Sequence, residues 1–468
     1  MFFGLKPASD LVATANSVFG HIPAHWGVRT MRSLIKSRSE RDRTDLPLLS
    51  VARERGVFVR ATDDDNHNAI PDDLTNYKLA RKGDLVINKM KAWQGSLGLA
   101  PEDGIVSPAY YVYDFAVENR YFGQALLRSR PYVALLGAAS DGVRIGQWDL
   151  SVPRFRAIPV LLPPADEQDK IVKYLGHAHA RIDRTIAAKR KLIALLEEQK
   201  QAIIQQAVTR GLNSSVSLKD SGAPWLGHAP AHWELLPVRR HWSVTDCKHL
   251  TVPFTDTGIP LASVRQAQRF ELSLSDARHT SQEHYETLIE GGRKPRPGDL
   301  IYCRNVGVGK ATIVGNVGEF AMGQDVALLR SSGQDSRFFN YFLRSRAMES
   351  QLERVLVGST FRRINVEQIR ALLVATPPIE EQVEIARYLD TELAGLSSVG
   401  ATVAREIELI REFRIRLTSD VVTGQVDVRE IVATLPDLTD EVSFDVDIEC
   451  ADDDQQTESE LESAGADE

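Results

Sequence analysis

Pro163-Pro164-Ala165-Asp166-Glu167-Gln168 opens a proline-free run that reaches Gly211, and Pro377-Pro378-Ile379-Glu380-Glu381-Gln382 opens a second that reaches Gly424. Set one over the other, the apolar positions coincide. Leu175 falls on Leu389, Ile182 on Leu396, Ile193 on Ile407, Leu196 on Ile410, Ile203 on Leu417 and Ala207 on Val421. Gaps of three, four or their sums mark the seam of a packed helix pair. The two prolines end an extended segment and are tolerated only at a helix's first turn. Acidic residues follow where the positive end of the macrodipole favours them, and glycine stands where a helix stops. Each run of about 44 residues predicts a rod of roughly 65 Å. His179, Lys189, Lys200, Gly400 and Arg414 interrupt the seam.

The repeat extends beyond these helices. Gly20-His21-Ile22-Pro23-Ala24-His25-Trp26 matches Gly227-His228-Ala229-Pro230-Ala231-His232-Trp233 at six of seven positions. Gly83-Asp84-Leu85 answers Gly298-Asp299-Leu300, and Leu127-Arg128-Ser129-Arg130 answers Leu343-Arg344-Ser345-Arg346. The chain therefore reads as globule, long helix, globule, long helix, with each unit the size of a duplicated domain. Both globules read as mixed α/β. Short strands are expected at Asp84–Asn88 and Asp299–Cys303, another over Ile105–Phe115, and helices over Arg120–Leu136 and Arg337–Leu356. Expected boundaries are a leader at 1–20, a first globule at 21–165, a helix at 166–210 and a polar linker at 211–224. A second globule at 225–379, a helix at 380–424 and an acidic, disordered tail at 425–468 follow.

With 468 residues the chain exceeds one compact domain. Its net charge of −8 hides an asymmetry, because 14 Asp and Glu and no Lys or Arg lie from Ile431 onward. The fifty acids that remain leave the 56 basic residues in excess by six over 1–430. Such a body permits nucleic-acid binding without establishing it. No apolar run is long enough to span a membrane, and Met1–Ser17 does not resemble a signal peptide. Cys247, Cys303 and Cys450 are scattered and odd in number, which fits reducing cytosol better than disulfides or a zinc site. A cytoplasmic protein is expected.

No catalytic constellation emerges. Asn305-Val-Gly-Val-Gly-Lys310 hints at a phosphate loop, but Arg304 and Ala311 stand where that pattern needs Gly and Ser or Thr. A glycine-rich turn with Arg304, Asn305 and Lys310 at its tip is the plainer reading. His25 and His232 each precede a tryptophan, so packing is the expected role, with Trp26 and Trp233 anchoring each globule's frame. Between the shared landmarks the globules diverge and carry polar clusters. The first has Lys89, Lys91 and Gln94 beside Trp93, then Arg144 and Gln147. The second has Arg304, Asn305, Lys310, Gln324, Arg362, Arg363 and Asn365. Such residue types bind phosphates and base edges.

In this order, twice, the motifs resemble the specificity subunit of type I restriction–modification systems. They are Pro-Ala-His-Trp, Gly83-Asp-Leu-Val-Ile-Asn-Lys-Met-Lys-Ala-Trp-Gln-Gly95, the Pro-Pro-x-x-Glu-Gln helix openings and the exits Val208–Gly211 and Val422–Gly424. The resemblance covers about residues 19–428. It implies two α/β target-recognition domains related by a pseudo-twofold repeat and separated by two long antiparallel helices forming a coiled coil. Each domain would read one half of a bipartite duplex DNA target, with the helices setting the spacing and docking two methyltransferase subunits. A restriction motor-nuclease would join through the methyltransferase. The subunit itself would be non-catalytic and bind no metal or cofactor. S-adenosylmethionine, ATP and Mg would bind the partners. The acidic tail departs from this pattern. The alternative is a coiled-coil scaffold that binds protein and not specific DNA.

Overall fold

The computed structural model describes residues 5–14, 18–53, 55–60, 73–144, 147–356 and 363–437. It divides into two compact units. The first comprises Met1–Lys189 with Arg405–Glu468, and the second is Arg190–Ala404. The first long helix is Ala165–Arg210 and the second is Ile379–Val422.

In the first unit, Gly27–Thr30 pairs antiparallel with Pro159–Leu162 and closes the globule at its base. A four-stranded antiparallel sheet runs in the order Leu97–Leu99, Leu85–Asn88, Tyr110–Phe115, Ile35–Arg38. The strand Leu85–Asn88 is buried throughout because each face of the sheet is covered. Successive side chains of a strand point to opposite faces. Leu85 and Ile87 join Phe115, Phe122 and Leu126 on one side, while Val86 joins Leu49, Val57 and Val112 on the other.

The second unit repeats the plan. Glu234–Pro237 pairs with Leu373–Thr376, and a sheet runs Trp242–Asp246, Val326–Ser331, Leu300–Cys303, Ala311–Ile313. Leu300 and Tyr302 face one core, Ile301 and Cys303 the other. The repeated aspartate does the same work twice. Asp84 accepts from the Arg81 amide and pairs with Arg38, and Asp299 accepts from the Arg296 amide and pairs with Arg330. Burial pushes the Asp84 carboxyl up, against the opposing pull of its Arg81 and Arg38 bonds.

Local readings shift in three places. The strand expected over Ile105–Phe115 is two, Gly104–Val106 and Tyr110–Phe115. The helix expected from Arg120 breaks into Arg120–Leu127 and Arg130–Ala138, and its counterpart into Ser336–Leu343 and Arg346–Val355. The Leu-Arg-Ser-Arg motif is the break. Ser129 and Ser345 begin the next helix, and their hydroxyls donate to the Leu126 and Phe342 carbonyls at 2.6 and 2.7 Å. Residues expected in the disordered tail are ordered as far as Asp437. Val426–Asp427 is a strand paired with Lys6–Pro7, and Val428 and Val432 are buried in the first unit's core. Apolar side chains persist this far, which the acid count conceals. The rest of the tail lies outside the described residues.

Within each unit the long helices run antiparallel. In the first, His179 meets Thr418 at 2.9 Å, Lys189 meets Glu406 at 2.6 Å and Asp183 pairs with Arg414. In the second, Ile204, Ala207 and Val208 share a core with Ile385, Ala386 and Leu389. Leu175, Ile182, Leu196, Leu389 and Leu417 are buried, but Ile203, Leu396 and Ile410 are only half-buried, and Ile204, Val403 and Ile407 take the deeper places. A straight helix drifts about 20° per heptad, so burial passes to neighbouring residues along a long rod.

His179 shows what an interruption costs. Burial, and secondarily the Arg414 charge, pull its imidazole down to about 4. The folded chain therefore refuses a proton that the unfolded chain accepts below pH 6.5. The contribution of His179 to the first unit's stability is constant above pH 6.5 and falls as pH drops from 6.5 towards about 4. In His179→Leu, which copies Leu393 in the other copy, that part of the acid sensitivity disappears. Melting temperatures at pH 7.5 and pH 5 measure it.

Candidate nucleic-acid interface

Both units are built on one node that the sequence disperses over some 140 residues. His25 Nε2 lies 2.7 Å from a Glu167 oxygen, and Trp26 Nε1 donates to Glu167 at 3.2 Å. In the second unit His232 and Trp233 contact Glu381 at 2.9 and 3.0 Å. The helix exits complete it. A Cβ on Gly424 would stand 2.5 Å from Pro23 and 3.0 Å from Trp26, and one on Gly211 3.3 Å from Trp233. Both glycines have φ of 73°, the left-handed region. Three sequence motifs thus form one joint. The histidines are carboxylate partners, a role that packing alone does not describe.

On the first frame the candidate residues converge from two segments. Asn88 to Gln94 forms the turn after the central strand, and its Met90 amide bonds the Asn88 side chain at 3.1 Å. The hairpin Ser140–Arg144 and Gln147–Leu150 lies beside it. Trp93 packs on Trp148 with ring centroids 5.0 Å apart, and Lys89 pairs with Asp149 at 3.0 Å. Lys91 is exposed and Gln94 half-buried. Arg144 and Gln147 pair across the hairpin's end through their backbones.

On the second frame four segments meet around Arg304. Arg304 is not at a solvated tip. It is 5% exposed, its Nε donates to the Ile364 carbonyl at 3.1 Å, and its Nη1 pairs with Asp246. Its amide bonds the Asp325 carbonyl and its carbonyl takes the Ile364 amide, each at 2.9 Å. Asp246 is also 3.0 Å from His249 Nε2. Burial would raise the Asp246 carboxyl, but the His249 bond and the Arg304 charge together hold it below the usual range. Asp246, Cys247 and His249 bring their ligand atoms within 4.8 Å of one another. The carboxylate is already taken by the guanidinium and the imidazole, so the trio acts as a brace for Arg304.

Around this brace, Gln324 Nε2 donates to Thr251 at 2.6 Å and Arg363 pairs with Asp325 at 2.9 Å. Lys310 is exposed and Asn305 half-buried. Asn365 is a helix cap. Its side chain takes the Gln368 amide at 2.8 Å, and Gln368 returns the bond at 2.9 Å. Arg362 lies outside the described residues. Sequence reasoning missed Thr251, Asp325 and the Asp246–His249 brace. Only Asn-Val-Glu-Gln, with the spacing of a capping box, carried a readable signal.

Two unlike polar surfaces stand on one frame that is built twice, so the chain is an internal duplication. Comparison with known proteins shows what the chain is similar to. Residues 287–406 match the family described as "Type I restriction modification DNA specificity domain". The MjaVIII specificity subunit of Methanocaldococcus jannaschii is 22% identical over 316 residues, 64% of this chain and 68% of that one. The putative MjaX specificity subunit of the same organism is 20% identical over 443 residues, 88% of this chain and 96% of that one. A solved structure described as "Structural basis underlying complex assembly and conformational transition of the type I R-M system" shares the fold. Its TM-score is 0.64 at 15% identity, covering 86% of this chain and 99% of that one. The resemblance drawn from the motifs is borne out as a similarity: residues 287–406 match the DNA specificity domain, and most of the chain is similar to type I specificity subunits. Among the described residues no helix is long and apolar enough to cross a membrane.

Proposed function

We propose that each unit reads one half of a bipartite duplex DNA target and that the chain performs no chemistry itself. One observation carries this reading. The His-Trp-Glu node is built twice, and on it stand two unlike sets of Arg, Lys, Asn and Gln. A shared frame with divergent polar faces is what two readers of different sequences require. Lys91, Lys310 and Arg363, exposed and cationic, are phosphate contacts, while Gln94 and Gln324 read base edges. Arg304 is a positioning residue, and Asn365 holds the turn that presents Arg363.

The two long helices set the gap between the half-sites. Their exposed Leu192, Leu195, Val399, Leu409 and Phe413 are docking positions for two methyltransferase subunits. A restriction motor-nuclease joins through those subunits. They bind S-adenosylmethionine, and ATP and Mg are likewise held outside this chain.

Selection from a random DNA pool, followed by sequencing, tests the reading. Enrichment of a bipartite sequence is expected, and a protein-binding scaffold would enrich nothing. Single variants refine it. Lys310→Ala weakens binding to all sequences and reduces the slope of log K against log salt by about 1. Gln324→Ala relaxes preference at one position of one half, with a discrimination loss of about tenfold. Salt titrations and the selected sequences separate the two effects.

A further inference from the structure

We propose that Val306 reads a thymine in the second unit's half-site by packing on its C5-methyl group, an inference that rests on the half-site reading above. Val306 stands in the turn that leaves the strand Leu300–Cys303. The entry to this turn is Arg304, which is buried and bonded through its amide, its carbonyl and its guanidinium. The exit is tied by two bonds, from the Lys310 amide to the Gly307 carbonyl at 3.0 Å and from the Cys303 amide to the Lys310 carbonyl at 2.9 Å. Gly307 and Gly309 have φ of 80° and 94°, the left-handed region. A Cβ on Gly309 would stand 2.5 Å from Leu352, so the turn lies directly on the helix Arg346–Val355.

On this anchored turn two valines go opposite ways. Val308 packs against the second unit's core. Val306 is 68% exposed, the most exposed large apolar side chain among the described residues. Folding gains little from an apolar group left in water. The bonds on either side nonetheless hold it in one place, and the buried Arg304 that precedes it is what holds the entry.

A single exposed apolar residue needs no explanation, but this one recurs in the other copy. Met90 is 49% exposed, in the turn that leaves the equivalent strand Leu85–Asn88, between Lys89 and Lys91. Val306 likewise shares its turn with the exposed Lys310. Cations of this kind draw the turn to a polyanion. In the major groove of unmodified duplex DNA the methyl group on a base edge is that of thymine, and apolar side chains read it by contact. A rigid turn with lysine for the backbone and valine for the groove fits that task.

The test uses the full chain and the duplex selected as above, with each thymine replaced in turn by deoxyuridine, which removes only the methyl. At one thymine of one half the affinity falls about fourfold, the effect of returning one methyl group to water. The slope of log K against log salt is unchanged, since no phosphate contact is lost. In Val306→Ser the thymine and uracil duplexes bind equally at that position. In Met90→Ser the fourfold difference there remains. Val306 and Met90 are surface positions, so both variants fold, which circular dichroism confirms. A bipartite target in which Val306→Ser erases the uracil effect at no thymine overturns the inference and leaves half-site reading in place. Failure to select any sequence removes both.

Discussion

Trp233→Ala lowers the stability of the second unit by about 3–5 kcal/mol, the range for emptying a buried aromatic site. Trp233 is 1% exposed and meets Phe338 edge-on with centroids 6.4 Å apart. It also touches the helix exit at Gly211 and donates to Glu381. Removing it opens a cavity and leaves a half-buried carboxylate short of a donor. Trp233→Phe keeps most of the packing and loses only the indole bond, so about 1–2 kcal/mol is expected. His232→Ala costs less still, because that ring is 44% exposed and its bond to Glu381 competes with water. Urea unfolding followed at the transition of the second unit ranks the three. Equal effects from Trp233→Phe and Trp233→Ala would mean that the hydrogen bond, and not the ring, holds the joint.

If each unit reads one half-site as proposed, exchange of residues 21–162 for the matching segment of a type I specificity subunit changes one half of the methylated target completely and leaves the other unaltered. The cut points are physical. Gly27–Thr30 and Pro159–Leu162 are partners in one strand pair, so the exchange carries both sides of that pair. Glu167 stays behind and receives a new His-Trp pair from the incoming domain, which rebuilds the node. Mapping methylated adenines in cells that hold the partner subunits gives the answer. A change in both halves would refute two independent readers.

The helices, the duplication and the buried tryptophans were legible because local pattern fixes them. Apolar spacing, doubled prolines and terminal glycines act within a few residues. The joints were not legible, because each partner lies far along the chain. Nothing near Arg304 in sequence announces that Asp246 and the Ile364 carbonyl bury it. Nothing near Trp26 announces Glu167. The candidate residues of the second unit therefore share a neighbourhood but differ in what holds them. Lys310 and Gln324 are exposed, while Arg304 and Asn365 are spent on structure. Their side-chain chemistries are alike, and the partners they take tell them apart.

The pairing of Lys6–Pro7 with Val426–Asp427 bears on how the molecule comes into being. Everything the second unit needs lies between Arg190 and Ala404, one continuous stretch. The first unit's core instead requires Val421, Val422, Val428 and Val432 from the far side of the whole second unit. Contacts that close so long a loop form late, and during synthesis they cannot form until that segment has left the ribosome. The first globule waits with Trp26 and the adjoining core unsealed while the second completes its fold. The half that is translated first is the half that finishes last.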